Sequence, residues 1–200
     1  MKSEISPGQS KEAIRFVLNL MENNLPERLT YHSVEHTRRV LSEAEYIGQC
    51  EGASEQSLIL LSLAAAFHDS GYLVDPYCHE ERGCDLARKY LPDFGFDEQQ
   101  IEDVCNLIMA TKIPTHPDGL LQNIICDADL NYLGTEEYEE IADLLYNEFK
   151  AYGITDSHEK WIIQQITFME NHRFFTNTAK NRYDPTKAKN LERLRRNIRN

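Results

Sequence analysis

The chain has 200 residues, of which 41% are apolar, a composition that suits one domain with a buried core. Its formal net charge of −12 argues against non-specific binding to DNA or RNA, which requires a basic surface, so nucleic acid is not expected as a partner. The longest apolar run is too short to cross a bilayer and residues 1–4 show no signal-peptide pattern, which together predict a cytoplasmic protein without a membrane partner.

Hydrophobic residues recur with helical spacing along almost the whole chain. In the first half, one helix is expected after Ser10, a second with Ser33 as its N-cap, and a third over residues 54–68. Residues 72–78 include a proline and are expected to form a loop. A fourth helix is expected to stop before Pro92.

The second half has the same helical spacing. The capping-box pattern Asp97-x-x-Gln100 opens a fifth helix. Further helices are expected over residues 120–130, over 136–152, from a cap at Asp156 through Met169, and over 185–199. Since no alternating strand pattern persists, the sequence predicts an all-α protein of eight or nine helices, in one domain that spans residues 1–200.

The C-terminal end differs in charge from the rest of the chain. Residues 180–200 carry eight Lys or Arg side chains and two acidic ones. One interpretation is a solvated helix face that docks on an acidic body. The other is a contact surface for phosphates or for an acidic partner.

Five polar residues lie at the edges of these apolar helices. His32 and His36 are four residues apart at the start of the second helix, which places them on the same edge. His68 and Asp69 end the apolar third helix, and Asp127 interrupts a later apolar run. Taken singly, each is typical of a hydrogen-bonded core residue or a helix cap. Taken together they favour a divalent metal, which accepts both imidazole and carboxylate ligands, over a buried polar network.

These residues resemble the pattern H…HD…D of the HD-domain superfamily of metal-dependent phosphohydrolases. The pattern is carried by Tyr31-His32-Ser33-x-x-His36, by Ala66-Phe67-His68-Asp69-Ser70-Gly71-Tyr72 and by Asp127-Ala128-Asp129-Leu130. The resemblance implies a helical bundle with its metal-binding core at about residues 28–135 and further helices over 136–200. It also implies that His36, His68, Asp69 and Asp127 bind one divalent ion, which is manganese, iron, cobalt, nickel or magnesium.

The resemblance further implies catalytic roles around this ion. Hydroxide formed at the metal, beside Asp69, would attack phosphorus. His32 matches the general acid of the cyclic-nucleotide phosphodiesterase branch, and the alternative is that it only supports its neighbours by hydrogen bonding. His79 and Glu80 match a block that assists the water or the leaving group, and the alternative is a cap at a helix N-terminus. Members with two metals have a further histidine where this chain has Thr111, so one ion is expected.

Three more residues are candidates for substrate binding. Lys112 follows an apolar helix and is expected to hold a phosphate. His172 and Arg173 precede two aromatic residues, and the segment is expected to cover a nucleotide, with the arginine on phosphate and a ring on the base. The alternative is that these aromatic side chains belong to the core.

Two functions remain open from the sequence. The first is hydrolysis of a phosphoester or phosphoanhydride bond in a nucleotide or other small phosphate ester. The second is a metal-containing regulatory module that binds a nucleotide with little or no catalysis. The complete ligand set favours the enzyme, and a homodimer is considered because related one-domain helical enzymes often dimerise.

Overall fold

Nine α-helices make up most of the described chain, residues 5–199 of a computed structural model. They are α1 (Pro7–Asn24), α2 (Val34–Cys50), α3 (Glu55–Phe67), α4 (His79–Tyr90), α5 (Glu98–Ala110), α6 (Leu120–Asp129), α7 (Tyr138–Ala151), α8 (His158–Asn171) and α9 (Asn177–Arg199). Short 3-10 segments occupy Ser70–Leu73, Pro76–Cys78, Leu91–Phe94 and Asn131–Gly134. Residues 1–4, on which the prediction of no signal peptide rests, lie outside the described residues. Residue 200 and the side chains of residues 198 and 199 also lie outside them. The predicted all-α class is confirmed.

The predicted helix starts are confirmed where a capping side chain determines them. Ser33 accepts a hydrogen bond from the backbone N–H of His36 at the start of α2, and Asp97 forms a capping box with Gln100 at the start of α5. The start of α8 lies one residue later than expected, because Ser157 is the N-cap and Asp156 instead pairs with a lysine side chain. None of the helices within the described range is long and apolar enough to span a membrane.

Two helices begin earlier than the sequence predicted. The first starts at Pro7 with Ser6 as its N-cap, because a proline at the first helical position needs no hydrogen-bond partner for its nitrogen. The last starts at Asn177 and continues through Pro185, a residue that costs about 3 kcal/mol in a helix interior. Ala179 and Tyr183 are buried on the turns before that proline, so packing against the core offsets the cost.

The core is centred on α3. Its second half is buried on all sides, because α1, α2, α5 and α6 pack around it. Leu61, Leu63 and Phe67 are fully buried there. Since this helix ends inside the molecule, the residues that follow it, His68 and Asp69, are delivered to the interior.

A close backbone approach fixes α4 against the end of α3. A Cβ atom on Gly71 would lie 1.8 Å from the carbonyl oxygen of His79, so only glycine allows this packing. The approach places the first turn of α4 beside Asp69. A second apolar cluster, formed by α7, α8 and part of α9, packs on the other side of the resulting cleft.

The basic residues of α9 are largely paired within the chain. Arg193 contacts Glu139 at 2.8 Å, and Arg195 contacts Glu170 at 2.5 Å. These contacts agree with a solvated helix that docks on an acidic body. They leave less charge available for an external acidic partner.

Candidate active site

Three buried side chains converge where α2 meets the end of α3. Asp69 Oδ2 lies 3.3 Å from His36 Nε2 and 3.1 Å from His68 Nε2, and the two nitrogens are 3.4 Å apart. Ligand atoms that bind one ion at about 2.1 Å lie roughly 3 Å from each other. The predicted grouping of His36, His68 and Asp69 is therefore present, and these residues could hold a metal ion.

The chemistry of this cluster fits a divalent cation. Asp69 Oδ2 is buried and has no hydrogen-bond partner, although two imidazole nitrogens are close to it. The Nδ1 atom of His68 contacts the carbonyl oxygen of Ala65 at 2.8 Å, which places the proton on Nδ1 and leaves the Nε2 lone pair facing the cluster. An unpaired carboxylate oxygen beside an imidazole lone pair is the arrangement that a metal satisfies.

The charges in the cluster depend strongly on one another. Burial lowers the pKa of His36 and His68, but the carboxylates of Asp69 and Asp129 outweigh it and raise the pKa of both imidazoles. Burial raises the pKa of the two carboxyl groups, and the imidazoles outweigh it and lower both. The carboxylates thus stay ionised, and their negative charge favours a bound cation.

Asp127 does not belong to this cluster, and its prediction as a metal ligand is wrong. Its Oδ1 accepts a hydrogen bond from the N–H of Phe175 at 2.8 Å, and its Oδ2 accepts two from Thr176, at 2.8 and 2.7 Å. Asp129 takes the expected place, with Oδ1 3.1 Å from His36 Nε2 and 3.5 Å from His68 Nε2. Residues two apart on a helix point to nearly opposite sides, so only one of the two aspartates can face the histidines.

His32 is held at the edge of the cluster by Glu148, a residue that the sequence analysis missed. Glu148 Oε2 accepts the backbone N–H groups of Tyr31 and His32 at 2.9 and 3.0 Å, and Oε1 is hydrogen-bonded to His32 Nδ1. The carboxylate is 3% exposed. The sequence could have indicated that Glu148 is buried, because it follows the buried Ile141 and Leu145 of α7 at helical spacing and so lies on the same face.

Tyr72 lies between two imidazole rings. Its ring is stacked on His32, with centroids 4.3 Å apart, and on His79, with centroids 4.2 Å apart. Its hydroxyl is 3.1 Å from His32 Nε2. Burial and the nearby Asp69 raise the pKa of Tyr72, so the hydroxyl remains protonated.

His79 and Glu80 reach the same place from the first turn of α4. His79 Nε2 lies 3.8 Å from Asp69 Oδ1 and 3.4 Å from Glu80 Oε1, and Glu80 is buried. The cap position of this helix is Cys78, whose side chain makes no capping hydrogen bond. His79 and Glu80 thus lie beside the cluster of His36, His68 and Asp69 as well as at a helix N-terminus.

These residues form one end of a cleft of about 480 Å³. Its polar end is formed by His32, Asp69, Tyr72, His79, Glu80 and Asp129. Its apolar wall is formed by Leu130, Tyr132, Leu145, Phe149, Ile154 and Phe168. A volume of this size is typical of sites for small organic ligands.

Thr111 and Lys112 also line the cleft. The hydroxyl of Thr111 donates to the carbonyl oxygen of Ile108 at 2.8 Å. The ammonium group of Lys112 is paired with Glu81, and the side chain is about half exposed. A phosphate would therefore compete with Glu81 for Lys112.

His172 and Arg173 are not among the described residues that line the cleft, so the predicted nucleotide cover is not formed there. Arg173 donates to the carbonyl oxygen of its neighbour His172 at 2.8 Å, at the end of α8. The ring of His172 packs edge-on against Phe174, with centroids 4.6 Å apart. Phe174 is 2% exposed, so the alternative interpretation of this segment as core is confirmed for that ring.

The position of this segment has a clear cause. Asp127 accepts hydrogen bonds from residues 175 and 176, which fastens the segment to α6 rather than to the cleft. In this position His172 lies near the cationic side chains of Lys187 and Arg173. Burial, together with Lys187 and Arg173, lowers the pKa of His172 to about 3.

Comparisons with known proteins agree with this geometry. Residues 33–130 match the family model of the HD domain. A predicted HD superfamily hydrolase from an uncultured Thermotogales bacterium is similar in structure, with 22% identity, a TM-score of 0.61, and coverage of 92% of this chain and 90% of that one. Bacillus subtilis YpgQ in complex with ADP has 18% identity and a TM-score of 0.66, with 94% of each chain covered. A protein from Listeria innocua has 15% identity and a TM-score of 0.62, with coverage of 95% of this chain and 97% of that one.

Comparison with curated proteins gave no match. Because the sequence identities to the solved structures are low, those structures support the fold and not a particular function. The family match covers α2 to the end of α6, the segment that supplies His36, His68, Asp69 and Asp129. Residues 33–130 of this chain are an HD domain.

Proposed function

We propose that the protein is a metal-dependent phosphohydrolase that cleaves a phosphoester or phosphoanhydride bond of a nucleotide or another small phosphate ester. The observation that carries this proposal is the unpaired, buried oxygen of Asp69 between His36 and His68, at the polar end of an open cleft. The ligands are His36, His68 and Asp69, with Asp129 in the fourth place. The nitrogen and oxygen donors suit manganese, iron, cobalt, nickel or magnesium. When bound, such an ion supplies a nucleophilic water at neutral pH and stabilises charge on the phosphoryl oxygens.

His32 is the general acid in this proposal. Glu148 accepts the Nδ1 proton of His32, so the Nε2 atom faces the cleft, and the imidazolium form of the ring can give its Nε2 proton to the leaving oxygen. Tyr72 holds the imidazole plane by stacking. A histidine that served only as structural support would not need an oriented Nε2 atom at the cleft surface.

His79 and Glu80 act on the other side of Asp69. Their side chains lie within 4 Å of each other and His79 lies at a similar distance from Asp69, so they can hold a water or a substrate oxygen by hydrogen bonds. In this proposal Lys112, which lines the cleft, leaves Glu81 and binds a phosphoryl oxygen.

Nucleotide substrates are supported by two observations. The cleft has an apolar wall next to its polar end, which suits a ligand with an aromatic part and a phosphate. The similar protein YpgQ was solved in complex with ADP. The second candidate, a regulatory module that binds a nucleotide without cleaving it, would not need His32 to be oriented by a buried carboxylate.

The test is an activity panel with a metal analysis. The purified protein is analysed for bound metal and assayed with phosphomonoesters, cyclic nucleotides and nucleoside triphosphates in added manganese, cobalt or nickel. We expect the wild type to release phosphate or pyrophosphate from at least one substrate, the Asp69→Ala variant to lose metal and activity, and the exposed control Asp143→Ala to retain both. Nucleotide binding without turnover would favour the regulatory module, and absence of metal binding would refute the site.

A further inference from the structure

We propose that the substrate carries a single phosphoryl group attached to an aromatic organic part, as in a nucleoside monophosphate, rather than a diphosphate or triphosphate chain. This inference rests on the proposed function and narrows its substrate class. It is carried by the distribution of charge and apolar surface around the cleft.

The polar end of the cleft is strongly acidic. Asp69, Glu80 and Asp129 line it, and each is largely buried, so water screens their charges only weakly. Among the described lining residues, Lys112 is the one lysine or arginine, and it already pairs with Glu81. One divalent ion would neutralise two of the three negative charges of these carboxylates.

A phosphate chain needs more positive charge than this cleft supplies. A phosphomonoester carries about −1.5 to −2 charges at pH 7, and every added phosphate increases the negative charge. Sites that hold triphosphates provide basic side chains and cradles of backbone N–H groups. Here the N-terminus of α4 faces the cleft, but its first turn carries Glu80 and Glu81, which oppose an anion.

The apolar wall provides a rigid surface for the organic part. The ring of Phe149 is fixed edge-on against Trp161, with centroids 5.5 Å apart. Gln165 lines the same region, and its Oε1 accepts a hydrogen bond from Tyr138 at 3.2 Å. Its amide nitrogen is therefore the group that it can offer to a ligand. An apolar surface that includes an aromatic ring, with a nearby amide, suits a heterocyclic ring.

The first experiment compares the mono-, di- and triphosphates of one nucleoside, with free manganese held constant. We expect kcat/KM for the monophosphate to exceed that for the triphosphate by about tenfold or more. Affinities measured by calorimetry on the metal-free protein should rank in the same order, so the dissociation constant of the monophosphate should be the lowest of the three. Equal or better use of the triphosphate overturns the inference while leaving the proposed function intact. No release of phosphate or pyrophosphate from any of the three, with activity elsewhere in the wider substrate panel, overturns the inference alone, whereas inactivity across that whole panel counts against both.

A charge-adding variant tests the electrostatic argument directly. Ile113 lines the cleft and is 55% exposed, so Ile113→Lys adds a cation at its mouth. We expect this variant to reduce the preference for monophosphate over triphosphate. Ile163→Lys adds the same charge at an exposed position of α8 outside the lining residues and should leave the preference unchanged. An unchanged preference in Ile113→Lys contradicts the argument.

A truncation tests the apolar wall. Phe149→Ala should raise KM for the nucleoside monophosphate several-fold and leave KM for glycerol phosphate, which has no ring, unchanged. Leu144→Ala, at an exposed position of the same helix, is the control. Ile154→Ser, at a more exposed position of the wall, provides a second variant if Phe149→Ala does not fold. An equal rise in KM for both esters excludes a role of the wall in binding the ring.

Discussion

The carboxylate of Glu148 accepts the Nδ1 proton of His32 although 116 residues separate the two in sequence. The same carboxylate also receives the backbone N–H groups of Tyr31 and His32, so it fixes both the ring and the chain that carries it. This contact joins α7, which lies outside the HD-domain match, to the residues that precede α2. The polar end of the cleft therefore depends on a helix beyond the matched domain.

Replacing Glu148 should impair turnover more than metal binding. In Glu148→Gln the amide has no negative charge to balance an imidazolium and can turn its NH2 group toward Nδ1, so the ring is held less firmly in the orientation in which Nε2 donates a proton. We expect kcat to fall by about 10- to 100-fold, with bound metal unchanged and KM changed little, as for outer partners of other active-site histidines. Glu140→Gln, at an exposed position of the same helix, is the control and should behave like the wild type. Loss of metal in Glu148→Gln would contradict this assignment.

The two aspartates at the end of α6 should have separable effects. Asp129→Ala should lower the metal content, because Asp129 faces His36 and His68, and should leave the melting temperature of the metal-free protein near that of the wild type. Asp127→Ala should retain the metal site but lose about 2–4 kcal/mol of unfolding free energy, because buried N–H groups of residues 175 and 176 lose their acceptor. Metal analysis and urea unfolding distinguish the two, and the reverse pattern would restore Asp127 as the ligand.

Much of the fold and part of the site could be predicted from local patterns. Helical spacing and capping side chains predicted the helices, since Ser33 and Asp97 act on backbone N–H groups within the next turn. His68 and Asp69 were predictable because an apolar helix directly before them places them in the interior. These signals need no knowledge of which helices pack together.

The remaining features depend on packing between distant segments. Asp127 and Asp129 are equally acidic and two residues apart, and only the neighbours of α6 decide which one faces His36. Glu148 resembles other acidic residues of its helix until its contact with residue 32 is known. The segment after α8 was expected over the cleft, but Asp127 holds it elsewhere. In each case a contact across many residues of sequence decides the outcome.

Stability should fall at acidic pH through His172. Burial, Lys187 and Arg173 lower its pKa to about 3 in the folded protein, whereas an unfolded histidine has a pKa of about 6.5. Above pH 6.5 His172 is mostly neutral in both the folded and the unfolded state, so it has little effect on the free energy of unfolding. Below pH 6.5 the unfolded chain binds a proton at this histidine and the folded protein does not. The free energy of unfolding therefore falls by about 2 kcal/mol between pH 7 and pH 5.

The measurement is urea unfolding at pH 7 and pH 5 for the metal-free wild type, His172→Gln and His116→Gln. Between pH 7 and pH 5, His172→Gln should lose less unfolding free energy than the wild type, because it lacks the histidine that binds a proton on unfolding. His116 is exposed, so its variant should follow the wild type. If His172→Gln and the wild type show the same loss, His172 is protonated in the folded protein.

The close approach of α4 to the end of α3 should be sensitive to a single methyl group. In Gly71→Ala the added Cβ would lie 1.8 Å from the carbonyl oxygen of His79, so the first turn of α4 must move away from Asp69. We expect a loss of more than about 2 kcal/mol of unfolding free energy, the scale of overpacking in a core, together with a lower kcat, because His79 and Glu80 move with that turn. In Gly8→Ala the added Cβ meets only a serine oxygen at 3.5 Å, within α1, and should be neutral or slightly stabilising. Equal stability and kcat in the Gly71→Ala and Gly8→Ala variants would show that α4 is not held against Asp69 by this contact.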